Sequence, residues 1–411
     1  MIFGEIDMSK SESVLLLIFL VACIIITTPV LASTEETENT WTQKEPMHEA
    51  RSGIGVAVVN NKVYVIGGTT FQGMWPAETG GIVGTNEEYD PTTDTWVFKK
   101  AMPTPRMDFA IAVYQNKIYC IGGITGISGN GLVFTEVNEI YDPATDTWEN
   151  KTSLPTARDL PPGNVVNGKI YLIGGFPNKT LNEVYDPVTD TWVSNAPLPI
   201  AVGWPSGVFN NKIYFMGGYF DANNDARSIT QIYDPNTDTW SKGTSPLTFF
   251  ISGSAGTTTG ILAPKRIYIF PKPYEDVEAM PSDYAIQVYD PETDSWMFGA
   301  NLPTTRNDFG VAVVNDTMYI IGGYTLAYPT TQSRSTGGYV TKYAVNEQYT
   351  PFGYGKTAFS SPTSSNDVPI GTEPAFSVTL IIGTVLLVAS VSVSLLVYFT
   401  KVKKKMLHRV S

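Results

Sequence analysis

At 411 residues, 43% hydrophobic and only 16% charged, the chain is long enough for one large domain plus appendages and is not disordered by composition. Residues 33 to 375 carry 21 Lys plus Arg against 36 Asp plus Glu, and a net charge of −15 repels phosphate backbones, which excludes nucleic acid as a partner. Two cysteines exclude a disulfide framework: Cys23 falls in the first apolar run, and Cys120 fills a slot taken elsewhere by Val65, Leu172, Phe215, Ile269 or Ile320.

Val14 to Ile26 is an uncharged run followed by small residues at Val30 and Ala32, which predicts an export signal over residues 1–32, cleaved after Ala32. Glu5 and Asp7 are out of place in its leading region; initiation at Met8 would remove them. An uncleaved N-terminal anchor is the alternative.

From residue 54 a unit repeats. An apolar strand, Ile54 to Val59, is followed by the turn Asn60-Asn61-Lys62 and a second strand, Val63 to Ile66, ending in Gly67-Gly68. The pattern returns with Gly122-Gly123, Gly174-Gly175, Gly217-Gly218 and Gly322-Gly323. Asn, Asp and Gly at the tips suit hairpins that need positive φ. A third strand leads into Tyr-Asp-Pro-x-Thr-Asp-Thr/Ser-Trp, which occurs at Tyr89 to Trp96, Tyr141 to Trp148, Tyr185 to Trp192, Tyr233 to Trp240 and Tyr289 to Trp296. Asp and Pro there have turn chemistry, and the Tyr and Trp rings are expected to pair across strands. Starts 44 to 56 residues apart with a constant interior indicate a propeller or an array.

An apolar strand ending in Gly-Gly, then Tyr-Asp-Pro, then Trp, resembles the kelch repeat family over roughly residues 41 to 350. The resemblance implies an all-β propeller of four-stranded blades spanning residues 33–355. Six blades fit the count. Blade 5 has Tyr268-Ile269-Phe270-Pro271-Lys272 where Gly-Gly is expected, and blade 6 degrades its turn to Tyr349-Thr350-Pro351 with no Trp after it. The missing strand is expected from the N-terminal segment around Trp41, closing the ring and removing an open edge.

Residues 356–374 are rich in Ser, Thr and Pro and read as a stalk. Phe376 to Phe399 carries no charge over 24 residues, about 36 Å as a helix, so a transmembrane helix is expected over residues 375–399. The basic tail, 400–411, with Lys401, Lys403, Lys404, Lys405 and Arg409, puts the C-terminus in the cytoplasm and the propeller outside. The expected location is the cell membrane, single-pass, and the arrangement resembles archaeal exported kelch proteins. Asn150, Asn178 and Asn315 head glycosylation sequons.

Antiparallel pairing puts the first-to-second and third-to-fourth connections on one face, where they look uniform and structural. The second-to-third and inter-blade connections share the other, variable face. Loops on a rigid scaffold concentrate binding residues. The candidates there are Trp75, Trp204, Phe249, Tyr219, Tyr324 and Tyr328, together with Arg51, Arg106, Arg158 and Arg306 in the inter-blade segments. Blades 4 and 5 put Val202 and Phe249 at the Arg position, so an Arg arc faces an apolar arc. The competing role for each Arg is to brace blades, with Asp108, Asp159 and Asp308 near enough in sequence to neutralise three of them.

Catalytic chemistry is thin. Only His48 and His408 exist, so a copper oxidase site, a Ser-His-Asp triad and a zinc site all fail on residues. Asp221-Ala222-Asn223-Asn224-Asp225 lacks the Gly and Glu of a calcium loop and reads as a polar turn. No cofactor, metal or catalytic residue is assigned. The favoured reading is a non-enzymatic surface module that binds an extracellular protein or glycan. The alternatives are a carbohydrate-active enzyme resembling kelch-type sialic-acid mutarotases, using Arg with a carboxylate such as Glu78, Glu87, Glu136 or Glu183, and a structural surface-coat component.

Overall fold

The computed structural model describes residues 38–356, apart from 75–80, 129–130, 160–162, 203–204, 221–225, 249–251, 273–284 and 328–338. The expected signal (1–32), transmembrane helix (375–399) and tail (400–411), and the stalk beyond Lys356, lie outside the described residues. Among the described residues, no helix is long and apolar enough to cross a membrane.

Six four-stranded antiparallel sheets form the propeller. Blade 1 is Gly55–Val59, Lys62–Ile66, Asn86–Asp90 and Thr95–Lys99, in spatial order. Blades 2 to 5 follow the same order, with innermost strands Ala110–Tyr114, Gly163–Val166, Ser206–Phe209 and Ser252–Thr257. Blade 6 runs Gly310–Val314, Thr317–Ile321, Asn346–Thr350 and then Thr40–Lys44, with Trp41 opposite Tyr349. The N-terminal segment therefore closes the ring as expected. The six innermost strands pack each against the next, and Gly55–Val59 meets Gly310–Val314 to complete the circle.

The hairpin tips adopt the predicted left-handed backbone: φ is 50° at Asn60, 60° at Asn61 and 51° at Asn167. Tyr and Trp of each turn face one another in register, as Tyr89 does Trp96, with ring centroids 4.8 to 5.0 Å apart. A second-strand tyrosine packs on the turn tyrosine of the following blade, from Tyr64 on Tyr141 round to Tyr319 on Tyr89. These rings are the largest apolar contribution to each inter-blade core.

The second aspartate of the turn does more than shape it. Asp94 accepts the Tyr89 hydroxyl proton at 2.6 Å and the Glu45 N–H at 3.0 Å, while Trp96 Nε1 donates to the Glu45 carbonyl at 2.8 Å. Glu45 follows the outermost strand of blade 6. The same clamp joins Asp146 and Trp148 to Lys100, Asp190 and Trp192 to Thr152, Asp238 and Trp240 to Ala196, and Asp294 and Trp296 to Thr244. In blade 6, Asn39 stands in the aspartate's place, accepting from Tyr349 at 2.8 Å and from Ala300 N at 2.7 Å.

The first aspartate forms an Asx turn and pairs with a lysine from the neighbouring hairpin, as in Lys117–Asp142 at 3.4 Å and Lys169–Asp186 at 2.6 Å. The turn face is less uniform than expected. Blade 5 has a longer first connection, residues 258–266, whose Ile261, Leu262 and Ala263 amides donate to the buried Asp316 carboxylate at 3.0, 2.7 and 3.1 Å. The absence of a short Asn-Lys tip in blade 5 is this insertion.

Trp41→Ala should destabilise the propeller by about 3 kcal/mol, read by chemical denaturation. The Tyr hydroxyl and an inter-blade amide hold Asp146 and Asp294 below the ordinary 3.8. Their stabilisation is therefore complete above that value and lost as pH falls below it. A pH series of melting temperatures should show Asp146→Asn, which copies Asn39, less sensitive to acid than the parent.

Candidate functional site

The four predicted arginines are brought to equivalent places, but inside the blades. Arg51, Arg106 and Arg158 are 0% exposed and Arg306 5%. Each side chain runs into its own blade and meets a glutamate on the third strand: Arg51 with Glu87 at 2.7 Å, Arg106 with Glu139, Arg158 with Glu183, and Arg306 with Glu347 at 2.7 Å. Other donors go to second-strand carbonyls at Cys120 (2.8 Å), Leu172 (3.0 Å) and Ile320 (2.9 Å), and to Gly67, Gly174 and Gly322 (2.7 to 2.8 Å), while Nε of Arg51 and of Arg106 has no hydrogen-bond partner among the described residues. Burial pulls the Arg51, Arg158 and Arg306 guanidiniums below their ordinary pKa, and the carboxylates oppose it.

The expected solvent-facing Arg arc is therefore corrected: these guanidiniums are braces, and their partners are glutamates instead of the nearby aspartates. Asp108 and Asp308 take positive φ in the inter-blade turn. Asp159 accepts the Phe176 N–H at 2.9 Å, and burial pushes its pKa up to about 6. The backbone carbonyls of Arg51, Arg106 and Arg158 also reach outward, each accepting from the second glycine of the preceding blade: Gly68 to Arg106 at 3.0 Å, Gly123 to Arg158 at 2.9 Å and Gly323 to Arg51 at 2.8 Å.

The glycine pairs are the other half of this arrangement. In blades 1, 2, 3 and 6 the first glycine has φ between 65° and 80° and the second between 94° and 101°. A Cβ on Gly67 would lie 2.5 Å from the Arg106 carbonyl oxygen, so glycine is required. Blade 4 has Val202 where four other blades have the bracing arginine, and Gly217-Gly218 does not turn. Its second and third strands run on as Lys212–Phe220 and Ala226–Asp234, with Tyr219 opposite Arg227. The expected strand end at Gly217-Gly218 is absent because nothing there accepts a turned chain.

Sequence reasoning missed the pairing signal. The third strand reads Asn-Glu-x-Tyr at Asn86, Asn138, Asn182 and Asn346, but Thr230-Gln231 and Ile286-Gln287 precede Tyr233 and Tyr289. Glutamate occurs in the four blades with Arg, and glutamine in the two without. An unpaired buried carboxylate is costly, and a neutral amide is not. Gln231 Oε1 accepts from Ile200 N at 3.0 Å and its Nε2 donates to the Ile200 carbonyl at 2.9 Å; Gln287 Oε1 accepts from Leu247 N at 2.8 Å.

Of the aromatic candidates, Trp75, Trp204, Phe249 and Tyr328 lie outside the described residues. Val202 packs partly buried in an inter-blade core. Tyr324 is half-buried beneath the Lys342 ammonium, 4.7 Å from its ring centroid, and bridges to Asn307. Strands Tyr324–Ala327 and Tyr339–Lys342 from blade 6 join Gly73–Met74 from blade 1 in a three-stranded sheet on the variable face. Exposed apolar residues collect there at Ile127, Leu132, Val133, Phe176 and Tyr339. Asn150, Asn178 and Asn315 are exposed. Glu87 and Glu183 are buried in the braces, Glu136 is exposed, and Glu78 lies outside the described residues.

Arg106→Val alone should cost about 3–5 kcal/mol by leaving Glu139 buried and unpaired. Adding Glu139→Gln, which reproduces Val202 with Gln231, should recover at least half of that loss in a double-mutant cycle by denaturation.

The Kelch motif is matched at residues 50–103, 105–155 and 205–247, corresponding to blades 1, 2 and 4. Beta-scruin of Limulus polyphemus is 32% identical over 139 residues, 33% of this chain and 14% of that protein. Kelch-like protein terF of Aspergillus terreus is 26% identical over 284 residues, 65% of this chain and 60% of that one. The chain thus spans less than two thirds of either relative. The solved structure of YjhT superposes with a TM-score of 0.54 at 15% identity, covering 73% of this chain and 95% of that one, a likeness of fold. With six sheets closed in a ring by Trp41, the chain is a six-bladed propeller, and it carries matched Kelch motifs over blades 1, 2 and 4.

Proposed function

We propose that this propeller is a non-enzymatic recognition module, held at the cell surface by a C-terminal span over residues 375–399, which binds an extracellular protein or a glycan through its variable-loop face. Kelch propellers commonly serve as protein-binding modules, which supports the coarser part of the reading. The observation that supports the rest is the place of the first and last described residues. Glu38 and Lys356, the first and last described residues, pair at 2.7 Å at the end of blade 6 where Thr40 lies opposite Thr350, the place that the Tyr-Asp-Pro turn takes in the other blades. Glu38 and Lys356 thus both lie on the turn face, at the opposite end of the sheets from the variable loops.

That face carries the longest connections and the exposed Tyr339, Leu132, Val133 and Phe176. The turn face carries Lys–Asp pairs that neutralise one another. The carbohydrate-active alternative relied on Arg and carboxylate groups converging, and they do converge, but as braces closed to solvent. Glycans at the exposed Asn150, Asn178 and Asn315 are part of the proposal.

The full chain in detergent micelles should capture ligand on glycan and surface-protein arrays. Tyr339→Glu on the variable face should reduce capture about tenfold or more, and Val188→Glu on the turn face should leave it unchanged. Equal losses from the two variants, or no capture by the parent, would sink the reading.

A further inference from the structure

Two hairpins rise from the variable face at equivalent points of the repeat, directly after a Gly-Gly pair. In blade 6, Tyr324–Ala327 pairs with Tyr339–Lys342, and Gly73–Met74 from the next blade adds a third strand, Tyr339 opposite Met74 and Val340 opposite Gly73. In blade 2, Ile124–Ser128 pairs with Gly131–Phe134, Ile127 opposite Leu132. Among the described residues no third strand joins them.

The difference has a plain cause in loop length. Blade 1 has residues 69–85 between its Gly-Gly and its third strand, enough to send out Gly73–Met74. Blade 3 has only residues 176–181 in that interval, and uses them to lay Phe176 against Phe134, ring centroids 5.9 Å apart. Gly131–Phe134 is left with Phe176, 43% exposed, against Phe134 and with Leu132 and Val133, 40% exposed each, on its two opposite faces, while Lys179 Nζ lies 6.0 Å from the Phe176 ring centroid.

An unpaired apolar edge is a hazard that proteins usually blunt with lysine, proline or an inward charge. Residues 124 to 135 contain no charged residue and no proline. A lone two-stranded hairpin is also marginal in water, and three strands are the stable unit.

We propose that this edge is a docking groove for an extended, uncharged peptide strand of another protein, added antiparallel to Gly131–Phe134 above Phe176, as Gly73–Met74 is added in blade 6. Main-chain hydrogen bonds would supply affinity, and apolar side chains on the two faces of the added strand would meet Leu132 on one and Val133 on the other. A charged strand would find no counter-charge along residues 124 to 135, and one bearing lysine would also meet the Lys179 ammonium, 6.0 Å from the Phe176 ring centroid. The inference rests on the variable face being the recognition surface and specifies one partner chemistry for it.

The test uses the full chain in detergent micelles on an array of synthetic ten-residue peptides. One set is uncharged with alternating Val, Ile and Thr, the second has Lys or Glu at alternate positions, and the third is interrupted by Pro. The uncharged set should be retained, with capture falling at least tenfold for Leu132→Lys and Val133→Lys and unchanged for Val188→Lys, all three confirmed folded by thermal melts. Hydrogen exchange at residues 131–134 should slow when an uncharged peptide is bound. Equal capture of charged or Pro-interrupted peptides, or unprotected amides at 131–134, overturns the groove. Absence of peptide capture while Tyr339-dependent array binding persists overturns the groove and leaves the recognition reading standing.

Discussion

The ring depends on one repeated contact, a side-chain oxygen that accepts a tyrosine hydroxyl from its own blade and a backbone N–H from the blade before. At Asp94 this ties Tyr89 to Glu45, and at Asn39 it ties Tyr349 to Ala300. The oxygen sits on a residue of positive φ, 54° at Asp94 and 58° at Asn39, so the turn that shapes the strand also aims the clamp. Because each clamp reaches backwards by one blade, none is complete until its neighbour is placed. Stability is thereby shared around the circle instead of residing in separate blades.

The Arg–Glu braces act at the opposite end of the same sheets. They satisfy turned glycine carbonyls from beneath while the Arg main chain holds the preceding blade. Where Val202 replaces Arg, the carboxylate becomes Gln231 and the turn becomes a straight strand. Two sequence differences and one difference of backbone course thus accompany one change, the removal of a buried cation. The variable face inherits the result: four consecutive blades fold over at its inner rim and blade 4 stands upright.

Blade number, strand order and closure by Trp41 were legible because they follow from periodicity and from antiparallel pairing, which need no distant partner to be recognised. The roles of Arg51, Arg106, Arg158 and Arg306 were misread for the complementary reason. Their position beside loops suggested exposure, while the glutamates that bury them lie 25 to 41 residues away. The alternation of Glu139 and Glu183 with Gln231 and Gln287 contained that information, and would have been decisive if compared blade by blade. The third strand Gly73–Met74 was beyond sequence reading, since a pairing two residues long has no periodicity.

Closure by a strand from the far end also imposes an order on assembly. Tyr349 meets Asn39 across 310 residues, so the last blade cannot form until nearly the whole propeller has been synthesised. Until then Thr40–Lys44 waits unpaired, and its composition suits the wait: Thr-Trp-Thr-Gln-Lys holds a single large apolar residue. Its clamp residue is the neutral Asn39, and the strand pair it joins has Thr317 and Thr350 where the other blades have a cation and an aspartate. A segment that arrives late gains its specificity from register and one indole, which leaves little in it for a wrong partner to hold in the interval.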